Sequence, residues 1–134
     1  MLLSHIDQEF VSALLDQVGA GVDSPFVATE VRHLGEATRR DVEGGSAAGG
    51  RSAAFTLGFI GVDPAQFETV LPEHANRING ALQPWTAAET NINFAGKLRS
   101  AQHYASAWPA TTFARLADVR RRYDPDGVLA HGFS

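Results

Sequence analysis

The chain has 134 residues, 44% of them hydrophobic, which is enough to bury the core of one domain and short for two. Eleven Lys and Arg stand against fifteen Asp and Glu, and this acidic balance disfavours nucleic acid or an anionic membrane surface as a partner. The absence of cysteine excludes disulfides, thiolate nucleophiles and zinc–thiolate sites. Because no stretch has the ~20 apolar residues of a membrane span and the first residues lack a signal-peptide pattern, we expect a cytoplasmic protein with a single domain over residues 1–134.

The first predicted element is an amphipathic helix with Ser4 as its N-cap, ending at Gly19. Its apolar residues recur with helical spacing: Phe10, Val11, Leu14, Leu15 and Val18. A strand is predicted next, over residues 25–33, where apolar and polar residues alternate. This alternation places Val27 and Val31 on a buried face and leaves the other face charged.

Residues 41–52 are rich in glycine and serine and show no periodicity, so we predict a flexible loop. The second predicted strand covers residues 53–60. Its two sides differ, with Phe55, Leu57 and Phe59 alternating with Ala54, Thr56 and Gly58. We expect the aromatic and leucine side to face the helices.

The helical region after Asp63 contains Pro72, which predicts a kink or a fresh start and hence two helical pieces. A third strand is predicted over residues 89–94, with Ile92 and Phe94 on its apolar side. A short helix over residues 100–108 precedes the last element of the pattern.

The last predicted element is an amphipathic helix capped by Thr111 or Thr112 and ended by Asp124, because the residue before a proline avoids the α region. Its apolar stripe consists of Phe113, Leu116, Val119 and Tyr123. We expect this helix to cover the core.

The order helix, strand, strand, helix, strand, helix predicts an α+β fold, with an antiparallel or mixed sheet and helices packed on one face. The other face would be polar. It is either open, as solvated antiparallel sheet faces are, or covered by a second copy of the chain.

Several short patterns occur in a fixed order along the chain. The first pattern is VRHLG at residues 31–35, the second is the pair Asn93 and Phe94, and the third is Trp108. The fourth is Arg115 and Leu116 followed by Val119, and the fifth is Tyr123, Asp124 and Pro125 followed by Leu129. Together they resemble the C-terminal region of the berberine-bridge-enzyme-like, FAD-linked oxidoreductases over about residues 26–129. Gly127 stands where that family usually has Asn, and Leu129 where it usually has Phe.

The resemblance implies a role for the polar sheet face, which in that family covers the substrate cavity above the flavin. The implied substrate-binding residues are Glu30, Arg32, Thr56, Asn91 and Asn93. Such enzymes are several times longer, and their flavin-binding half precedes this region. The resemblance therefore implies FAD as a cofactor that this chain does not bind alone, supplied by a flavin-binding-domain partner.

No catalytic residue is assigned by the resemblance. The family's proton-abstracting tyrosine would fall at Asn91, and an amide does not titrate near neutral pH. Glu30 and Glu89 are the nearby residues of a type able to act as a base. The five histidines lack metal-ligand spacing, so we expect no metal site.

Two functional hypotheses follow. The chain is a stand-alone or truncated substrate domain of an FAD-linked oxidoreductase that is not redox-active alone. The alternative is a non-catalytic α+β protein that binds a small molecule or associates with itself.

Overall fold

The computed structural model describes residues 1–94 and 101–129 as an α+β fold. Its strands are β1 Leu2–Leu3, β2 Ala28–His33 and β3 Phe55–Ile60. Its α-helices are α1 Gln8–Val18, α2 Glu36–Arg39, α3 Val70–Ala81, α4 Ala101–Ala105 and α5 Ala110–Tyr123. Three short 3₁₀ turns occur at Pro64–Gln66, Gln83–Trp85 and Ile92–Phe94.

The three strands form one antiparallel sheet in the order β1-β3-β2. Its third strand is therefore the N-terminal Leu2–Leu3, and the strand predicted over residues 89–94 is wrong. There the Asn91 side chain accepts a hydrogen bond from the Asn93 amide at 3.0 Å. Such a local side-chain bond favours a turn over a sheet ladder, and Ile92–Phe94 forms a 3₁₀ turn.

The core lies between the sheet and the helices α1 and α3. Its fully buried side chains are Leu3, Phe10, Leu57, Ile78 and Leu82. Phe55 and Phe59 pack against this cluster, which confirms the predicted apolar side of β3. Phe10 also meets the Trp85 ring edge to face, with 5.7 Å between the ring centroids.

Strand β2 is less buried than predicted, because it forms the edge of the sheet. Val27 is 63% exposed and Val31 38% exposed, and neither belongs to the core cluster or to the residues packed against it. The contact at this end of the sheet is made instead by Phe26, which stacks on Phe59 at 5.0 Å.

Helix α1 is capped by Asp7 and not by Ser4. The Asp7 carboxylate accepts hydrogen bonds from the Phe10 amide at 2.7 Å and from the Trp85 indole at 3.1 Å. It thereby satisfies an unpaired amide of the first helical turn and ties α1 to a distant residue. Ser4 instead donates its backbone N–H to the Trp85 carbonyl oxygen.

We expect Asp7→Asn to reduce the pH dependence of stability. The pKa of Asp7 lies below its ordinary value, first because the Phe10 amide donates to the carboxylate and next because the Trp85 indole does. A carboxyl with a lowered folded pKa stabilises the fold above its unfolded pKa, and this stabilisation is lost as pH falls through the folded pKa. The Tm difference between the parent protein and the variant should be largest at neutral pH and shrink as the pH falls below about 4, the ordinary pKa of an aspartate. A difference that is constant with pH would contradict this expectation.

Pro72 does not kink the helix that contains it. Helix α3 begins at Val70, so Pro72 lies in its first turn, where a missing N–H costs no intrahelical hydrogen bond. The second helical piece in this region is the 3₁₀ turn Pro64–Gln66, capped by the side chain of Asp63.

Helix α5 does not cover the core as predicted. It contains no fully buried residue, and its stripe runs from the half-buried Phe113 to Tyr123, which is 72% exposed. Its start at Pro109 carries no side-chain cap, so the expected threonine caps are also wrong. Its predicted end is confirmed, because Tyr123 is its last residue and Asp124 follows.

Candidate functional site

Three of the five implied site residues come together on the sheet. Arg32 pairs with Thr56 across β2 and β3, and Glu30 lies two residues before Arg32 on the same face. The Arg32 Nε lies 2.8 Å from the Glu30 Oε1, and both side chains are largely exposed. The sheet thus presents an ion pair beside a threonine to solvent.

The ion pair fixes the charges of this group. The Arg32 side chain donates to the Glu30 carboxylate and holds its pKa below the ordinary value, while the pKa of the Arg32 guanidinium is raised by the same contact. A general base needs a pKa near the working pH. Glu30 is therefore suited to holding a charge and poorly suited to moving a proton.

Thr56 adds a hydroxyl that is already in use. Its Oγ1 donates to the Met1 carbonyl oxygen at 3.3 Å, and its side chain is half buried between β1 and β2. The hydroxyl oxygen keeps its acceptor capacity. This oxygen can therefore accept a hydrogen bond from a donor group of a ligand that lies on the polar face.

Asn91 and Asn93 do not belong to this group. They lie at the turn Ile92–Phe94, outside the sheet, and the Asn91 side chain bonds the Asn93 backbone. The prediction that all five polar residues share a sheet face is therefore wrong for these two. The predicted burial of Ile92 is also wrong, since it is 36% exposed, and the side chain of Phe94 lies outside the described residues.

The polar face is covered at its β1 end by the glycine-rich loop. Leu2 lies on this face and is buried, with Gly50 directly above it. Gly50 has a φ of +78°, and a Cβ on it would overlap Leu2 Cδ1. Its amide donates to the Glu89 Oε2 at 2.5 Å. Glu89, considered above as a base, is thus a hydrogen-bond acceptor for the loop backbone.

Further hydrogen bonds hold residues 41–52. The Arg51 guanidinium donates to the carbonyl oxygens of Thr38 and Arg40. Asp41 accepts bonds from Ser46 that lower the pKa of its carboxyl. The flexibility predicted for this loop stays a prediction about motion.

Three aromatic rings pack beside this loop, from α4 to the start of α5. Tyr104 and Trp108 meet edge to face at 5.1 Å, and Trp108 stacks with Phe113 at 6.1 Å. The Trp108 indole donates to the Ala47 carbonyl oxygen at 2.6 Å. The indole therefore anchors the loop, and the rings pack on one another.

The C-terminal pattern has a structural role that explains its residue types. The Asp124 carboxylate accepts hydrogen bonds from the amides of Val128 and Leu129, which folds the chain back after α5. Gly127 has a φ of +67°, a conformation favoured by glycine and, among other residues, by asparagine. The backbone at this position would therefore accept either a glycine or an asparagine.

Other features of the described residues add no catalytic group. A shallow acidic depression lies on the exposed side of α1, away from Glu30 and Arg32, and is lined by Asp7, Glu9 and Asp16 among others. Among the described side chains no group of three His, Cys, Asp or Glu is placed to hold a metal ion; His131 and the side chain of His103 lie outside them. The helices seen there are each too short or too polar to cross a bilayer.

The resemblance of this chain to FAD-linked oxidoreductases rests on the short patterns described above. Comparison with known proteins adds no support to it. No model of a protein family matches the sequence, and no curated protein matches it significantly.

Proposed function

We propose that this chain is the substrate-side part of an FAD-linked oxidoreductase of the berberine-bridge type, not redox-active alone and dependent on a separate flavin-binding partner. The observation that carries the proposal is the Glu30 and Arg32 ion pair beside Thr56 on an uncovered part of the sheet face. A charged pair already held in one geometry can orient a polar substrate at a small entropic cost. A cytoplasmic location belongs to the same proposal and is supported by the lack of cysteine.

The role assigned to this face is binding and orientation. The two charges are complementary and fixed, and the Glu30 carboxyl has a lowered pKa. The transfer of a proton or hydride would fall to the flavin and to groups of the partner chain. This division follows the resemblance, in which the flavin-binding half is a separate region of the enzyme.

FAD binding tests the proposal directly. The purified chain is mixed with FAD, desalted and examined for flavin absorbance, and we expect no flavin to be retained. A flavin-binding chain encoded by a neighbouring reading frame should retain FAD and form a complex with this chain. Retention of FAD by the chain alone, or failure of the flavin-loaded chain to form the complex, contradicts the proposal.

A substitution at the ion pair separates binding from assembly in that complex. Arg32→Ala removes the charge that orients the substrate and should raise KM while the complex still forms. Arg77→Ala, on the exposed side of α3, is the matched control and should leave KM unchanged.

The second candidate is a non-catalytic α+β protein that associates with itself or binds a small molecule. The observation that favours it is the outer edge of β2, with which no described segment of the chain pairs, together with the exposed side chains Val27 and Val31 at this strand. Light scattering separates the two candidates, because a flavin-free homodimer supports the second. A monomer that forms a complex with a flavin-loaded partner chain supports the first.

A further inference from the structure

Strand β2 offers an unpaired edge. It is the last strand of the sheet, and within residues 1–94 and 101–129 no segment pairs with its outer side. Its register with β3 is unbroken from Ala28 to His33, so it has no bulge, and it contains neither proline nor lysine. Bulges, prolines and lysines are among the features that keep sheet edges from pairing with another chain, and β2 has none of the three.

The hydrogen bonds of the sheet show which residues of β2 point to that edge. Met1 and Leu57 exchange both backbone hydrogen bonds, at 2.7 and 2.9 Å. Bonded and non-bonded pairs alternate in an antiparallel ladder, so the odd-numbered residues of β3 bond to β1 and the even-numbered ones to β2. The Leu34 amide bonds the Ala54 carbonyl oxygen at 2.8 Å, in agreement with this alternation. The regular pattern ends there, because the Ala54 amide, one residue before β3, bonds the Leu3 carbonyl oxygen of β1.

The register between β2 and β3 then assigns the outward groups. Arg32 pairs with Thr56 and Glu30 with Gly58, so the backbone groups of Glu30 and Arg32 are used inside the sheet. The N–H and C=O groups of Thr29, Val31 and His33 point to the free edge. An added antiparallel strand must place its own outward groups opposite these three residues.

A second copy of β2 places its outward groups opposite those of the first when the two-fold axis relating the copies passes through a residue of the strand. An axis at Glu30 places Glu30 opposite itself, and an axis at Arg32 places Arg32 opposite itself, which are like-charge contacts. An axis at Val31 places Glu30 of each copy opposite Arg32 of the other, on the face where they already form an ion pair. Opposite charges directly across a pair of strands stabilise it, and like charges destabilise it.

We propose that two copies of this chain associate through the β2 edges, antiparallel and with Val31 at the two-fold axis, to form one continuous six-stranded sheet. The inference deepens the second candidate function by naming its surface and register. Four charges, two from each copy, alternate in sign around the axis on one face. On the other face Val31, 38% exposed in the single chain, meets its own copy.

Charge reversal tests the proposed pairing. Glu30→Arg and Arg32→Glu each place like charges across the axis, and each alone should raise the dimer dissociation constant roughly tenfold or more. An equimolar mixture of the two variants restores opposite charges in every cross-strand pair and should form a heterodimer. Circular dichroism of each variant verifies that its fold is intact. Sedimentation velocity over a range of concentrations reads out the dissociation constants.

Cysteine trapping tests the register and does not depend on the charge variants. The chain has no cysteine of its own. In the proposed dimer the two Cα atoms at position 31 are about 5.5 Å apart, within disulfide range. Val31→Cys should therefore form a covalent dimer under mild oxidation. Thr29→Cys is the control, because its two copies lie roughly 14 Å apart along the strands and should not cross-link.

The outcomes distinguish this inference from the candidate function on which it rests. A heterodimer in the mixture with cross-linking of Val31→Cys alone supports it. A protein that is monomeric at all concentrations overturns both the inference and self-association. A dimer that resists both charge reversals, or that cross-links equally at positions 29 and 31, overturns the β2 pairing and leaves self-association through another surface.

Discussion

Phe10→Ala should lower the free energy of unfolding by about 3 to 5 kcal/mol, the range for a phenylalanine removed from a packed core. Phe10 is 1% exposed and lies in the cluster that joins α1 to β3 and α3. Its ring also supports Trp85, whose indole bonds Asp7 at the start of the same helix. A domain with a total stability of about 5 to 15 kcal/mol would lose a large share of it.

Urea unfolding measures this loss, and Leu15→Ala is the matched control. Leu15 lies on the same helix but is 56% exposed, so its truncation should cost less than about 1 kcal/mol. Both changes leave a good helix former, and any difference therefore reports burial. Equal losses for the two variants would mean that α1 does not pack on the sheet through Phe10.

The second large effect is expected at Gly50, where the glycine-rich loop closes over Leu2. Gly50→Ala introduces a side chain at positive φ, which costs roughly 1 to 2 kcal/mol. The new Cβ also overlaps Leu2 Cδ1, and relieving such overpacking costs a further 1 to 3 kcal/mol or so. The loss of stability should therefore exceed what backbone strain alone explains.

Gly44→Ala isolates the backbone contribution. Gly44 has a similar φ of +81°, and a Cβ on it would meet open space. Its substitution should cost only the strain. The difference between the two variants in urea unfolding thus reports how firmly the loop is packed on Leu2. If residues 41–52 are flexible, as the composition predicts, the two variants will lose the same stability.

The two proposals use the Glu30 and Arg32 pair differently and predict different assemblies, a complex with a flavin-binding chain in the first and a homodimer in the second. Pairing of two β2 edges uses backbone groups at the edge of the sheet, so the polar face stays open on the dimer. The ion pairs of the two copies would then lie side by side at the axis. A substrate bound there would meet alternating charges, which favours a ligand with both donor and acceptor groups.

Much of the fold was predictable from local patterns. The spacing of apolar residues indicated α1, and the alternation of β3 correctly placed Phe55, Leu57 and Phe59 against the helices. The stop at Asp124 followed from the conformational restriction before proline. These features depend on residues close in sequence, and the α+β class follows from them.

The candidate site was predictable only in part, because local alternation shows which side chains share a face but not which distant residues come into contact. Glu30 and Arg32 are two residues apart on one strand, so alternation alone puts them on one face. Asn91 and Asn93 show the same alternation, yet a side-chain hydrogen bond turns the chain there. Nothing local marked Glu89 as the acceptor for the Gly50 amide, because the two residues are far apart in sequence.

The sequence by itself determined the fold class, the faces of β3 and the shared face of Glu30 and Arg32. Tertiary structure decided that Leu2–Leu3 supplies the third strand, since two residues are too few to show a period. It also decided that β2 is the edge strand and that Val31 is exposed. Periodicity reports which side chains share a face, whereas burial depends on how far the packed helices extend over that face. That extent is set by contacts between residues distant in the chain.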